Sequence, residues 1–138
     1  MTTTLTPVLQ QTEAVAKQLV AYCRQQQWET AIEALYADDA VHDELMAMPG
    51  MPQTTRGKAD LLTASAKWCA DNTVHSVEIG DPLVSEGVFA VRMMLDVTSA
   101  SMGNTRIQMS EIAVYRVNDA GKITHVNFFY PLGDCGQG

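Results

Sequence analysis

Apolar residues recur along this chain with two different periods. Between Val8 and Trp28, Val15, Leu19, Tyr22 and Cys23 fall on one stripe, while Gln10, Gln11, Lys17, Gln18 and Gln25 to Gln27 fill the opposite side. That spacing predicts an amphipathic helix. A second, shorter helix is expected over Glu29 to Ala37, with Ile32, Leu35 and Tyr36 on its apolar stripe and Asp38-Asp39 ending it. Val41 to Met46 alternates and predicts a short strand. Met48-Pro-Gly-Met-Pro52 holds two prolines and a glycine, which exclude regular structure and predict a loop. Gly57 to Asn72 predicts a third helix, with Leu61, Leu62, Ser65, Trp68 and Cys69 facing inward.

Beyond Asn72 the period shifts to two. Thr73 to Val84 predicts a strand that ends near Asp81-Pro82. In Gly87 to Ala100, the residues Phe89, Val91, Met93, Leu95 and Val97 alternate on one face. Asn104 to Asn118 alternates through Ile107, Met109, Glu111, Ala113, Tyr115 and Val117. Asp119-Ala-Gly121 predicts a tight turn, and Lys122 to Tyr130 a last strand. The order is α-α-β-α-β-β-β-β. Short turns between consecutive strands predict antiparallel pairing, and helices grouped ahead of the strands predict an α+β domain. The expected organisation is a frayed segment over 1–10, one domain over 11–132 and a flexible tail over 133–138.

Composition narrows the function classes. Hydrophobic residues make up 46% of the 138 and charged residues 18%, which is globular composition. The 16 acidic residues outnumber the 9 Lys and Arg, for a net charge of −7. Such a surface repels phosphate backbones and anionic lipid, so neither nucleic acid nor a membrane is expected as a partner. No apolar run approaches the roughly 20 residues of a spanning helix, and the first eleven residues do not read as a signal peptide. Cys23, Cys69 and Cys135 are far apart and odd in number, which predicts reduced thiols and a cytoplasmic protein. Without a Cys-x-x-Cys pair, and with three scattered histidines, no metal site is expected. Nor does the chain carry a phosphate-binding Gly-rich loop, a Gly-x-Ser-x-Gly elbow or a dinucleotide fingerprint, and no cofactor is expected.

Pattern alone singles out Glu111. It occupies an inward position between Met109 and Ala113, and a carboxylate on an apolar face is costly unless it is paired or lines a polar pocket. Burial would raise its pKa toward the range of a useful general acid or base. The competing reading turns Glu111 outward to pair with Arg92 or Arg106, and a slip of one residue separates the two. Tyr36, Trp68, Phe89, Met93, Met109, Phe128 and Tyr130 are candidates to line a ligand pocket. Eight methionines suit an adaptable apolar cavity, although apolar stripes are more often plain core. His75 is expected to share a face with Val77 and Ile79, and His125 with Ile123, Asn127 and Phe129. Arg56 and Lys58 flank Gly57 at a helix start, where an anion could sit.

Several segments together resemble a known family. They are Leu35-Tyr-Ala-Asp-Asp-Ala-Val41, Met48-Pro-Gly-Met-Pro52, Arg56-Gly-Lys58, Val74-His-Ser-Val-Glu78, Phe89-Ala-Val91, Glu111-Ile-Ala-Val-Tyr115, Gly121-Lys-Ile123 and Phe128-Phe-Tyr130. Over about Gln11 to Tyr130 the chain resembles the SnoaL-like proteins of the nuclear transport factor 2-like superfamily, which includes ketosteroid isomerase. The resemblance implies a cone of curved antiparallel or mixed sheet wrapped around the N-terminal helices, with an internal pocket and a homodimeric assembly. It also implies roles for residues. In ketosteroid isomerase the general base falls four residues after an Ala-Asp-Asp-Ala-like stretch, which places Glu44 in that role, with His42 on the same face. The isomerase carries a second acid on a later strand, and the matching position here is Ala113, a departure that argues against steroid isomerisation. The bland alternative for His42 to Glu44 is a solvated strand start.

Two function classes follow. One is a cofactor-independent isomerase, cyclase or dehydratase that acts on an apolar carbonyl-bearing small molecule through Glu44, Glu111 and His42. The other is a non-catalytic binder of an apolar ligand, or a dimeric interaction domain. Fold by itself does not choose between them.

Overall fold

A computed structural model describes residues 5–48 and 51–131. Three helices and seven strands follow one another as α1 (Pro7–Arg24), α2 (Trp28–Leu35), β1 (Tyr36–Asp43), β2 (Thr54–Arg56), α3 (Lys58–Asp71), β3 (Asn72–Ile79), β4 (Leu83–Ser85), β5 (Val88–Ser99), β6 (Thr105–Val117) and β7 (Ile123–Phe129). The fold is α+β: one curved, unclosed mixed sheet ordered β2-β1-β7-β6-β5-β3, with β4 also paired to β5. Only β1 and β7 run parallel. They are the first and last long strands, brought together by everything folded between them.

α1 begins inside the stretch expected to fray. Thr6 Oγ1 accepts a hydrogen bond from the Leu9 amide (3.1 Å), and Pro7 occupies the first turn, where its missing N–H costs nothing. Residues 1–4 and the tail 133–138 lie outside the described residues. α2 stops one residue earlier than its stripe suggests. Tyr36 is extended and opens β1 instead, so Tyr36, Ala40 and His42 alternate onto one face. The single strand expected over Thr73 to Val84 is two, because Gly80-Asp-Pro82 interrupts the ladder between β3 and β4.

The sheet's interior face is set by the long β5–β6 ladder, in which Phe89 pairs with Tyr115, Val91 with Ala113, Met93 with Glu111 and Leu95 with Met109. β7 extends that face: Phe128 lies opposite Ala113 and Val126 opposite Tyr115. α1 supplies Val15, Ala16, Leu19, Val20 and Cys23 to the same core, α2 adds Ala31, Ile32 and Leu35, and α3 adds Leu61. Cys69, expected inward, is exposed, since α3 buries only Leu61 fully and rests on the sheet with a narrow stripe.

Two β-bulges reassign histidines. In β3 the register slips between Val74 and Ser76, so Val74, Val77 and Ile79 face inward and His75 does not share their face. His75 instead meets Thr98 Oγ1 at 2.7 Å on the outside. In β7 the pairing shifts near Ile123, which is buried, while His125 points outward. His125 therefore does not share a face with Ile123.

Candidate functional site

The interior face carries one ionisable side chain in the middle of the sheet. Glu111 sits across from Met93 and two residues before the fully buried Ala113, so its carboxyl is aimed at the apolar interior. Arg106 is not its partner; that guanidinium forks onto Asp96 outside, at 2.9 and 2.8 Å. Arg92, opposite Ile112, is exposed. No described residue gives the Glu111 carboxyl a hydrogen bond, yet no fully buried side-chain oxygen or nitrogen among the described residues lacks a partner. Both carboxyl oxygens therefore border accessible space. Burial among apolar neighbours, reinforced by the charge of Glu44, raises the Glu111 pKa to about 7.

Glu44 follows β1 and is half-buried. Its backbone is fixed by a 2.8 Å hydrogen bond from its amide to the Gln53 carbonyl, which closes the base of the β1–β2 loop. Burial raises its pKa, and the Tyr130 hydroxyl beside it works in the opposite direction. Like charge makes simultaneous ionisation of two neighbouring carboxylates costly, so such a pair divides into an acid and a base.

His42 faces inward from β1. Its Nε2 lies 2.9 Å from the Tyr36 hydroxyl. Its ring stands edge-on to Phe128, with centroids 5.1 Å apart, and tilts against Tyr36 at 5.4 Å. Burial, chiefly, and then the nearby His125 lower its pKa to about 4 against the opposing pull of Asp43, so the ring is neutral at pH 7. Between His42 and Glu44, Asp43 points the other way. It accepts from Thr54 Oγ1 and approaches His125 Nε2, both at 2.6 Å, on the outer face.

The remaining candidates separate by depth. Phe89 is 1% exposed and stacks on Tyr115 at 4.7 Å with the rings nearly parallel, so it forms part of the floor. Met93 is buried directly opposite Glu111, and Tyr36 is buried beside His42. Trp68, Met109 and Phe128 are half-buried against the core, and Tyr130 is half-buried beside Glu44. Two groups that the sequence reading left out also border the acid. Cys23 from α1 has its thiol pushed up to about 12 by burial and by the Glu111 charge, and Tyr115 feels Tyr36, Cys23 and Glu111. The α1 stripe marked Cys23 as buried, but no local signal says which strand it meets. At the α3 entrance, Lys58 is held by the Glu33 carbonyl at 3.0 Å.

A wider concavity lies elsewhere. It is a groove of about 470 Å³ between α1 and β4, bordered by Lys17, Val20, Arg24, Asp81 and Pro82. It is an open surface feature with its charges paired, Arg24 to Asp81 and Glu13 to Lys17. The space that the Glu111 oxygens border is a separate slot between apolar side chains of the interior face, outside this groove.

The fold agrees with the comparisons. No curated protein sequence matches the chain. Among solved structures, it is similar to a Mesorhizobium loti protein provisionally assigned as a SnoaL-like polyketide cyclase (32% identity, TM-score 0.77, covering 85% of this chain and 97% of that one). It shares its fold with a Mycobacterium tuberculosis LEH-like epoxide hydrolase (16% identity, TM-score 0.69, 93% and 88% covered). A second M. tuberculosis protein, crystallised with estradiol-17β-hemisuccinate, has the same fold at 23% identity and a TM-score of 0.69, with 88% and 95% covered. The SnoaL-like domain model matches residues 10–130, nearly the whole cone from the second turn of α1 to the end of the sheet, and this chain belongs to the SnoaL-like family.

Proposed function

We propose that the protein binds an apolar carbonyl-bearing small molecule in the slot at Glu111 and moves a proton on it, with Glu111 as the proton carrier. The observation that carries this reading is a carboxyl on the interior face, bordered by accessible space, with no hydrogen-bond partner among the described residues and a pKa near 7. Such a group exchanges protons in either direction at neutral pH. Glu44, beside the Tyr130 hydroxyl, supplies the second acid, and His42 with Tyr36 orients the substrate. Trp68, Met109, Phe128 and Tyr130 line the approach, over a floor of Phe89 and Met93. The Mesorhizobium loti neighbour provisionally assigned as a SnoaL-like polyketide cyclase supports small-molecule chemistry of this kind. The fully buried Ala113, at the position where the isomerase carries its second acid, supports a reaction other than steroid isomerisation.

The test uses 2-tetralone, an apolar ketone with exchangeable α-protons, in D2O. Wild-type protein is expected to accelerate deuterium incorporation followed by NMR. Glu111→Gln should slow it about 100-fold or more while ketone affinity stays within roughly threefold, as expected where no ground-state contact of comparable strength is lost. Unchanged exchange in the variant would remove Glu111 from the chemistry. Binding without exchange in the wild type would favour the second reading, a non-catalytic ligand carrier.

We further propose that the protein is a homodimer through the outer face of the sheet, where Met94, Ile112 and Phe129 are exposed and Ile112 lies directly across from Phe129. Apolar side chains grouped on one sheet face favour association. Light scattering should give twice the 15.1 kDa chain mass for the wild type and the single mass for an Ile112→Glu, Phe129→Glu double variant. A monomeric wild type would end this proposal. Residence in the cytoplasm is proposed on the free thiols of Cys23 and Cys69. Among the described residues no helix is long and apolar enough to cross a membrane.

A further inference from the structure

His42 is held in a way that leaves one nitrogen uncommitted. Its Nε2 is engaged by the Tyr36 hydroxyl at 2.9 Å. A phenol is a stronger acid than a neutral imidazole, and an imidazole sp² nitrogen is a stronger acceptor than a phenol oxygen, so the hydroxyl donates and Nε2 accepts. The ring hydrogen is thereby placed on Nδ1. No described residue accepts from Nδ1, while every fully buried side-chain nitrogen or oxygen among the described residues has a partner. Nδ1 therefore borders accessible space. The ring cannot turn freely to find another acceptor, because it is pinned between Tyr36 and the edge of Phe128.

We propose that the Nδ1–H of His42, fixed in that tautomer by Tyr36, is a specificity donor that selects ligands presenting an uncharged oxygen acceptor. The inference deepens the reading of the interior slot as the ligand site and rests on it. The charge condition comes from the surroundings. The ring carries no positive charge at neutral pH, and the carboxyl groups near it are Glu44 and Glu111, among the weaker acids Cys23, Tyr36, Tyr115 and Tyr130. An anionic head would meet like charge, and the two sheet arginines nearest in register lie elsewhere: Arg92 is exposed and Arg106 is paired outside. A ketone, aldehyde or lactone oxygen meets no such penalty and satisfies a donor that otherwise only water reaches. Tyr36 is thus a positioning residue, acting through His42.

Three probes of one shape separate the terms: 2-tetralone (neutral acceptor), tetralin (no acceptor) and tetralin-2-carboxylate (anion). Calorimetry on the wild type is expected to give 2-tetralone about tenfold tighter than tetralin, the usual scale of one net hydrogen bond, with the carboxylate weaker than the ketone. His42→Phe should close the gap between 2-tetralone and tetralin without changing tetralin affinity. Tyr36→Phe should narrow it part of the way. Because either variant alters a packed region, the wild type is also read directly. Nitrogen-15 NMR at pH 7 should show a neutral His42 protonated at Nδ1, and 2-tetralone but not tetralin should shift that nitrogen. A wild-type ring protonated at Nε2, equal affinity for 2-tetralone and tetralin, or a carboxylate that binds as tightly as the ketone overturns the inference while leaving the ligand site standing. If no probe binds, the site reading itself fails and takes the inference with it.

Discussion

Glu111 shows how a single side chain couples the chemistry of the interior to its stability. Its carboxyl is neutral more easily in the folded protein than in the unfolded chain, because packing against Met93 and its neighbours disfavours the charge. The folded pKa, about 7, lies above the ordinary 4.5. For a raised pKa the contribution to stability is fully present below the unfolded value and is lost as pH rises through the folded one. Wild-type protein should accordingly lose stability between about pH 4.5 and 7, and Glu111→Gln, which cannot ionise, should lose less over that window. The difference is bounded at about 3 kcal/mol by the size of the shift. Urea unfolding at pH 5 and pH 8 measures it, and a difference independent of pH would mean that Glu111 is not desolvated.

The same scale separates neighbours in β1. His42 and Asp43 are adjacent yet face opposite sides of the sheet: one is neutral beside Tyr36 and Phe128, the other bonded to Thr54 and His125. Alternation along a strand does this without further help. The sequence read His42 and Glu44 as facing one way for that reason. It missed the Tyr36–His42 contact because it assigned Tyr36 to α2. Read as the first residue of β1, Tyr36 is six positions from His42 and thus on the same face.

Among elements, α1 is the one whose start is set by a local device. Thr6 caps it through Leu9 and also donates to Glu86 Oε1 at 2.6 Å, which ties the helix to the turn after β4. Thr6→Ala is expected to cost about 1 kcal/mol, the usual value of a lost N-cap, and Thr6→Ser should recover most of it. Thermal melts of the three proteins give the comparison; no loss in the alanine variant would make the cap incidental.

The β6–β7 turn depends on Gly121, whose φ of +77° is in the left-handed region and whose missing side chain makes room for Gln11. A Cβ there would stand 2.8 Å from the Gln11 amide nitrogen, at the end of a flexible side chain, so backbone strain dominates the cost. Gly121→Ala should destabilise by about 1 kcal/mol, measurable by the urea midpoint at unchanged slope. The Gly121 turn was legible as local sequence, whereas the Thr6 cap lies in the stretch expected to fray. The bulges that redirect His75 and His125 were not legible, because a bulge is a mismatch between two strands and neither strand carries it alone.

At the scale of the whole molecule, the sheet assigns its two faces to different tasks. The inner face holds Glu111, His42 and Tyr36 among apolar walls; the outer face exposes Met94, Ile112 and Phe129 around the Asp43–His125 pair. The parallel β1–β7 pairing joins chain segments far apart in sequence, and it alone brings Glu44 and His42 to the sheet that carries Glu111. The family is the same one the motifs from Leu35 to Tyr130 resemble, with 32% identity to a solved SnoaL-like structure.

By itself the sequence determined what is local or periodic. It specified three amphipathic helices, the alternating strands from Val88 onward and the turn at Gly121, because each follows from spacing along a few residues; for Glu111 it left two orientations one residue apart. Tertiary structure alone decided which groups meet. It brought Glu44, Cys23 and Tyr115 within electrostatic reach of Glu111, set the Tyr36 hydroxyl on His42 and turned Arg106 to Asp96. Those encounters depend on strand order, bulges and the depth at which helices settle. They are properties of contacts between distant segments, and no run of neighbouring residues encodes them.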